Sequence, residues 1–313
     1  MELAIEANDL RKTYPGDVEA VKGVDFEVPA GEVFGLLGPN GAGKSTTVGM
    51  LTTTTVPTSG TARLAGFDVA EEPRAARAVS SVVFQEPVVD RSLTGRQNVE
   101  LHTRLWGVEP REAQARIEEL ALTLGLRELV DRAVETYSGG ERRRLEIARA
   151  LVSHPRVLFL DEPTVGLDPR IRAELLDVVA GLRSRGEMTI LLTTHYLDEA
   201  EKLCDRVAIM HAGRIVALDT PRALLAALGR ELVELRVDGD AGSALASLRE
   251  RGIAGEDAFA IGSRLTLPLR DTSAGEAIAV VHDLGLAAAI SAREPTLDDV
   301  YLRLTGDSLA AAA

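Results

Sequence analysis

The chain has 313 residues and a formal net charge of −13, with 45% hydrophobic and 27% charged residues, the balance of a folded globular protein. The acidic surplus argues against broad, sequence-independent nucleic-acid binding, which needs a cationic surface. No run reaches the ~20 consecutive apolar residues of a membrane helix, and the most apolar candidate, Ala277–Ile290, is interrupted by His282 and Asp283.

The opening MELAIEANDL carries acids and no basic stretch, so no secretory leader is expected. The single cysteine, Cys204, rules out an intrachain disulfide or a cysteine metal cluster and fits a reducing compartment. Only Lys12, Lys22, Lys44 and Lys202 among the 35 basic residues are lysine. Arginine supplies nearly all the positive charge, so a lysine at position 44 is unlike the rest of the chain.

In chain order, short strands are expected at Leu3–Ile5, Val24–Val28 and Val33–Leu37. The third runs straight into GPNGAGKST, residues 38–46, and a helix from Lys44 to about Leu51. Glycines 38, 41 and 43 permit tight backbone turns that aim successive N–H groups at a phosphate. Lys44 is placed to neutralise phosphate charge, Ser45 to offer a hydroxyl to a divalent cation, and the helix N-terminus to add its dipole.

A further strand, Ser81–Phe84, ends in Gln85. Helical spacing then dominates a segment of about residues 90–155, carried by Leu101, Leu105 and Trp106 and by Ile117, Leu120, Ala121 and Leu124. Within it, Ser138-Gly139-Gly140 opens a helix that continues as ERRRLEIARALV. A hydroxyl, bare backbone N–H groups and a helix dipole make a second anion site. One chain does not need two, so the pattern suits a nucleotide held by another copy. The buried-type run Val157–Leu160 delivers Asp161 and Glu162 at a strand's C-terminal end, where ligands bind in open α/β sheets.

The pattern continues with a helix at Pro169–Arg183, a strand at Met188–Thr193, a helix from about Leu197 and a hairpin around Ala212-Gly213. A domain boundary is expected near Gly229, giving domains 1–229 and 230–306. The second lacks lysine altogether and reads as strand (232–237), helix (242–251), two strands (258–261 and 264–268), helix (274–284), strand (286–290) and a short helix (297–304). That order is a split βαβ unit. Residues 307–313 are expected to be an unstructured tail.

With these motifs assembled, the chain resembles the ATP-binding-cassette (ABC) ATPases. GPNGAGKST resembles their Walker A loop, VLFLDEP their Walker B strand and YSGGE their signature. VVFQEP resembles the Q-loop, Gly166-Leu167-Asp168 the D-loop, and TTHYLDEA the switch-histidine segment. The resemblance covers about residues 3–220. Wider segments (DRSLTGRQNVELHTRLWGV, EIARALVSHPRVLFLDEPTVGLDPR and REPTLDDVYLRLTG) resemble the ATPase subunits of daunorubicin-resistance-type drug exporters, whose permease is a separate chain.

The resemblance implies an α/β P-loop core with a mixed sheet, an antiparallel β edge and a helical subdomain, followed by the small α+β domain. It implies ATP and Mg²⁺ as ligands and two copies sharing two ATP sites. Tyr14 would stack on adenine. Gly38, Pro39, Asn40, Gly41, Ala42, Gly43, Lys44, Ser45 and Thr46 would hold the phosphates. Ser45, Gln85 and Asp161 would meet Mg²⁺, Glu162 would activate the attacking water, and His195 would contact the γ-phosphate. Ser138, Gly139, Gly140 and Glu141 would reach the partner's nucleotide, and Asp168 would couple the sites. A peripheral location at the cytoplasmic membrane face follows, with a groove near Gln85, Leu93, Leu105 and Trp106 for the permease unless those apolar residues are core. Arg142–Arg144 read as a solvated helix face or ion-pair patch, and His102, His154, His211 and His282 match no motif.

The alternative is a cassette ATPase of translation or DNA repair. A single cassette, no long heptad run and the acidic charge disfavour it, and no nucleic-acid partner is expected. A binding module with dead chemistry is disfavoured because Lys44, Asp161, Glu162 and His195 are all present.

Overall fold

The computed structural model describes residues 2–86, 88–183, 188–237, 239–270, 272–285 and 289–306. The chain forms two compact units, Met1–Ala217 and Leu218–Ala313.

The first unit runs β1 (Leu3–Tyr14), β2 (Val18–Pro29), β3 (Val33–Leu37), α1 (Lys44–Leu51), β4 (Ser59–Leu64), β5 (Phe67–Asp68), α2 (Pro73–Ala78) and β6 (Ser80–Val83). Three longer helices follow, α3 (Gly95–Leu105), α4 (Pro110–Thr123) and α5 (Gly139–Leu151). Then come β7 (Val157–Asp161), α6 (Pro169–Arg183), β8 (Thr189–Thr194), α7 (Leu197–Leu203), β9 (Arg206–His211) and β10 (Arg214–Asp219).

Six strands form the central sheet in the order β10-β9-β3-β8-β7-β6. Pairing is parallel across β9-β3-β8-β7-β6. Every residue of β3, β7 and β8 is buried. Strands covered on both faces are mostly apolar, which is why these three read as near-continuous apolar runs, with Thr189, Thr193, Thr194 and Asp161 as buried polar exceptions. A separate antiparallel sheet, β2-β1-β4-β5, is built around a β1 far longer than the expected Leu3–Ile5. The alternating polar residues of β1 hide the strand's length, and its register shifts break the period further.

The helical segment is as expected in type, but its first apolar stripe faces outward. Leu105 is 75% exposed and Leu101 51%, while α3 buries Asn98, Val99 and Thr103. In α4 the expected Ile117, Leu120 and Ala121 are core, and Leu124 beyond its end is buried too. Thr94 and Gln97 close α3 with a reciprocal capping box.

The second unit comprises α8 (Pro221–Ala226), β11 (Glu231–Arg236), α9 (Ala241–Glu250), β12 (Phe259–Ile261), β13 (Arg264–Leu269), α10 (Ala274–Asp283), β14 (Ala289–Arg293) and α11 (Leu297–Thr305). Its sheet is antiparallel in the order β12-β13-β11-β14, the split βαβ topology. One core of Val233, Leu235, Leu248, Leu265 and Leu267 lies under α9 and α10.

This unit begins at Leu218, ahead of the boundary expected at Gly229, because α8 packs with α11. Arg270 and Arg303 also donate to the Ala227 carbonyl, at 2.9 and 3.4 Å. The strand expected at 286–290 is placed as β14, with residues 286–288 outside the described residues. The expected tail, 307–313, lies outside them as well. No helix among the described residues is long and apolar enough to cross a membrane.

Candidate nucleotide site

The glycine-rich loop leaves β3 and enters α1 at the C-terminal edge of the central sheet. Gly43 caps α1 in a left-handed conformation, φ 104°, with no side-chain hydrogen bond. A Cβ there would lie 2.6 Å from the Ala20 carbonyl oxygen, so only glycine fits. The first-turn N–H groups of Lys44, Ser45 and Thr46 have no acceptor within the helix, leaving a donor-rich, dipole-positive end.

Lys44 is buried, and its Nζ donates to the carbonyl oxygens of Gly38 (2.7 Å) and Pro39 (3.1 Å) and pairs with Glu162 Oε1 at 3.0 Å. Asp161 ends β7 beside the loop. Its Oδ1 accepts from Thr193 Oγ1 at 2.6 Å and from Ser45 Oγ at 3.3 Å. Glu162 adopts a left-handed φ of 46°, rare outside glycine, and its N–H donates to Thr193 Oγ1 at 2.9 Å. This backbone turn swings the Glu162 carboxylate toward Lys44. His195 follows β8, with Nδ1 3.5 Å from Glu162 Oε1. That nitrogen is buried and has no hydrogen-bond partner among the described residues.

A cleft of about 440 Å³ is lined by Tyr14, Asn40, Gly41, Gly43, Lys44, Ser45, Thr46, Gln85 and Glu162. Tyr14 and Gln85, both distant in sequence from the loop, thus share one cavity with it. Tyr14 presents an exposed ring, with Lys12 Nζ 5.1 Å from its centroid.

Ser138, Gly139, Gly140, Glu141 and Asp168 do not line that cleft. They gather where α5 and α6 begin. Ser138 Oγ accepts from the Glu141 N–H (3.3 Å), and Glu141 Oε2 accepts from the Ser138 N–H (2.7 Å), a capping box. That backbone donor holds the Glu141 carboxyl below its usual range. Glu141 therefore serves the helix end. Gly140 is required by packing, since a Cβ would meet Ile171 Cγ2 at 2.2 Å. Asp168 Oδ1 accepts from the N–H groups of Arg170 and Ile171, both at 3.1 Å, as the N-cap of α6. Tyr137 is buried, and its hydroxyl donates to the Leu129 carbonyl at 2.5 Å. Ser138 and Gly139 remain exposed.

Two residues near the site were not expected from sequence. Glu199, fully buried, accepts from Thr164 (2.5 Å), Thr194 (2.7 Å) and Arg172 (2.7 Å), tying the segment after His195 to α6 and the end of β7. Arg143, expected on a solvated face or in an ion-pair patch, is 5% exposed and paired with Glu146 at 2.8 Å. Its neighbour Arg142 donates to the Tyr137 carbonyl at 2.6 Å. A three-arginine run after a helix cap gives no hint that its middle member points inward.

A phosphate-type loop, paired acids at a parallel strand end and a separate glycine-rich helix start define a P-loop ATPase of the cassette kind. The family model described as "ABC transporter" matches residues 21–165. The daunorubicin/doxorubicin resistance ATP-binding protein DrrA of Streptomyces peucetius is 44% identical over 97% of this chain and 92% of its own length. The linearmycin resistance ATP-binding protein LnrL of Bacillus subtilis is 35% identical over 97% and 99%. Among solved structures, cbiO1 of Clostridium perfringens, described as part of the ABC transporter complex cbiONQ, superposes with a TM-score of 0.67. It is 26% identical, over 80% of this chain and 96% of that one. The chain belongs to the ABC transporter family and is one of its ATP-binding, ATP-hydrolysing proteins.

Proposed function

We propose that this chain energises export of a drug-like or other amphipathic small molecule through a separate membrane permease, as two copies that share two ATP sites. The observation that carries the two-copy reading is the separation on one chain of the Lys44 cleft from the Ser138–Gly140 helix start. Each has donors for phosphate, and neither closes the other. A second copy, related by two-fold symmetry, would bring Ser138 and Gly139 against the nucleotide of the first. Asp168, at the start of the adjoining α6, would lie at the seam. The drug-resistance relatives support the exporter reading and, with it, a peripheral place at the inner membrane face.

Within each site Tyr14 stacks on the adenine, since a ring face suits a π-rich base. The loop from Gly38 to Thr46 holds the phosphates, with Lys44 as the point charge. The donor set suits Mg²⁺: the Ser45 hydroxyl and the Asp161 carboxylate are hard oxygens 3.3 Å apart, and such an ion takes one or two protein oxygens plus substrate phosphates. Ser45 and Asp161 would hold it, with Gln85 lining the cleft that Ser45 also lines, and when bound it would neutralise phosphate charge. Glu162 takes the proton of the attacking water. His195, half-buried with an unbonded Nδ1 beside Glu162, is placed to contact the γ-phosphate.

The test is cellular. Cells deleted for this chain and complemented with wild type should retain less daunorubicin than cells complemented with Lys44→Ala. Equal retention in the two would reject a daunorubicin-type cargo for this chain.

A further inference from the structure

We infer that Arg143 is a positioning residue that holds the Gln85 loop and the Glu162 backbone in one register with the signature helix. This rests on the site roles proposed above and adds the connection between them.

The guanidinium has five N–H groups, and five acceptors meet it. Nε donates to the Pro163 carbonyl at 2.7 Å. Nη1 donates to the Phe84 carbonyl at 2.5 Å and to Glu146 Oε2 at 2.8 Å. Nη2 donates to the carbonyls of Gln85 (3.1 Å) and Glu162 (3.3 Å). Three segments distant in sequence converge on one planar group: helix α5, the loop after β6 and the turn after β7.

The same helix face reinforces the loop's position. Glu146 Oε1 accepts from the Val88 N–H at 2.8 Å, and Arg149 Nη1 donates to the Val88 carbonyl at 2.7 Å. Residues 143, 146 and 149 are one side of α5 at i, i+3, i+6 spacing, so α5 grips the loop along two turns.

Fold stability alone does not explain this arrangement. A buried ion pair gains little over well-packed apolar residues of similar volume. What it adds is direction, because a planar guanidinium fixes five acceptors in one geometry, two more than a lysine ammonium has donors for. Two of those carbonyls belong to Gln85 and Glu162, the groups that face the attacking water. A shift of α5 therefore moves both together, while the Lys44 hydrogen bonds to the Gly38 and Pro39 carbonyls of the loop are untouched.

The test uses the purified full chain with ATP and Mg²⁺. Arg143→Lys keeps the charge beside Glu146. Arg143→Met/Glu146→Met removes the pair without leaving a lone buried charge. Each should bind ATP within twofold of wild type and keep KM, while kcat falls at least tenfold. Each should also be non-additive with Gln85→Ala in a double-mutant cycle. Wild-type kcat in Arg143→Lys overturns the inference, and that variant decides the matter alone if the paired variant does not fold. Glu162→Gln is assayed beside them: if it turns over normally, the site roles fail. If it is inactive while the Arg143 variants are normal, the site roles stand and this inference fails.

Discussion

Lys44 Nζ lies 3.0 Å from Glu162 Oε1, and its other two hydrogen bonds go to the carbonyls of Gly38 and Pro39. All three ammonium protons are thus satisfied within the chain, and the proposed phosphate-binding cation and the proposed general base form one buried pair. A phosphate arriving at Lys44 competes for the same protons, which would release the Glu162 carboxylate toward the cleft. On the proposed roles, binding and activation of the general base would be linked through this single ion pair.

The two partners should separate on mutation. Lys44→Ala leaves Glu162 buried without its counter-charge, a loss of about 3–5 kcal/mol. Its melting temperature should fall and ATP binding should vanish in calorimetry. Adding Glu162→Gln to Lys44→Ala should restore most of the melting temperature and none of the binding. Glu162→Gln alone should bind ATP and hydrolyse it roughly 100- to 10,000-fold more slowly, the range for loss of a general base. Restored binding in the double variant would contradict the assignment of Lys44.

Ser138 has two roles that one substitution can part. It caps α5 through the Glu141 N–H, and it exposes its hydroxyl at the helix start. Aspartate caps as well as serine, so Ser138→Asp should keep the fold within about 0.5 kcal/mol. The new carboxylate would then face the phosphates of the partner's nucleotide. ATP binding to the single chain should persist while turnover and ATP-dependent dimerisation, read by sedimentation, are lost. A fully active Ser138→Asp protein would be incompatible with the shared site.

The parts of the site legible in the sequence were those whose chemistry constrains the backbone. Glycines 38, 41 and 43 with Lys44, and the apolar run ending in Asp161, can be read because the turn and the buried strand admit few other residues. The outward face of α3 was not legible. Leu101 and Leu105 have the spacing of a core stripe, while the buried positions are held by Asn98 and Thr103. Asn98 is buried because its amide donates to the carbonyls of Asp90 and Thr94, a tertiary and capping need that periodicity does not register. Arg143 escaped for the same reason, since its five acceptors include three segments far apart in sequence. Tyr14 and Gln85 could be placed only through motif order, and the shared cleft supplies the spatial link that order lacks.

The last prediction concerns pH and the groove beside α3. Trp106 is the chain's single tryptophan, and its indole N–H donates to His102 Nε2 at 2.7 Å. That bond requires a neutral imidazole. Burial, and next the positive charge of Arg149, push the His102 pKa down to about 4. Arg77 and Arg149 both line the same cavity of about 190 Å³, and Glu146 acts on Arg149 from the same helix. Below its unfolded pKa of about 6.5 the unfolded chain takes up this proton and the folded chain does not. The stability this group contributes is therefore complete above pH 6.5 and is lost as pH falls through about 4. Trp106 fluorescence in the folded protein should change with a midpoint near 4, far below that of a free imidazole. His102→Gln should abolish the transition and flatten the melting temperature between pH 6.5 and 4.5. A midpoint at the ordinary histidine value would mean that the imidazole is solvated and that the groove wall is not built on this hydrogen bond.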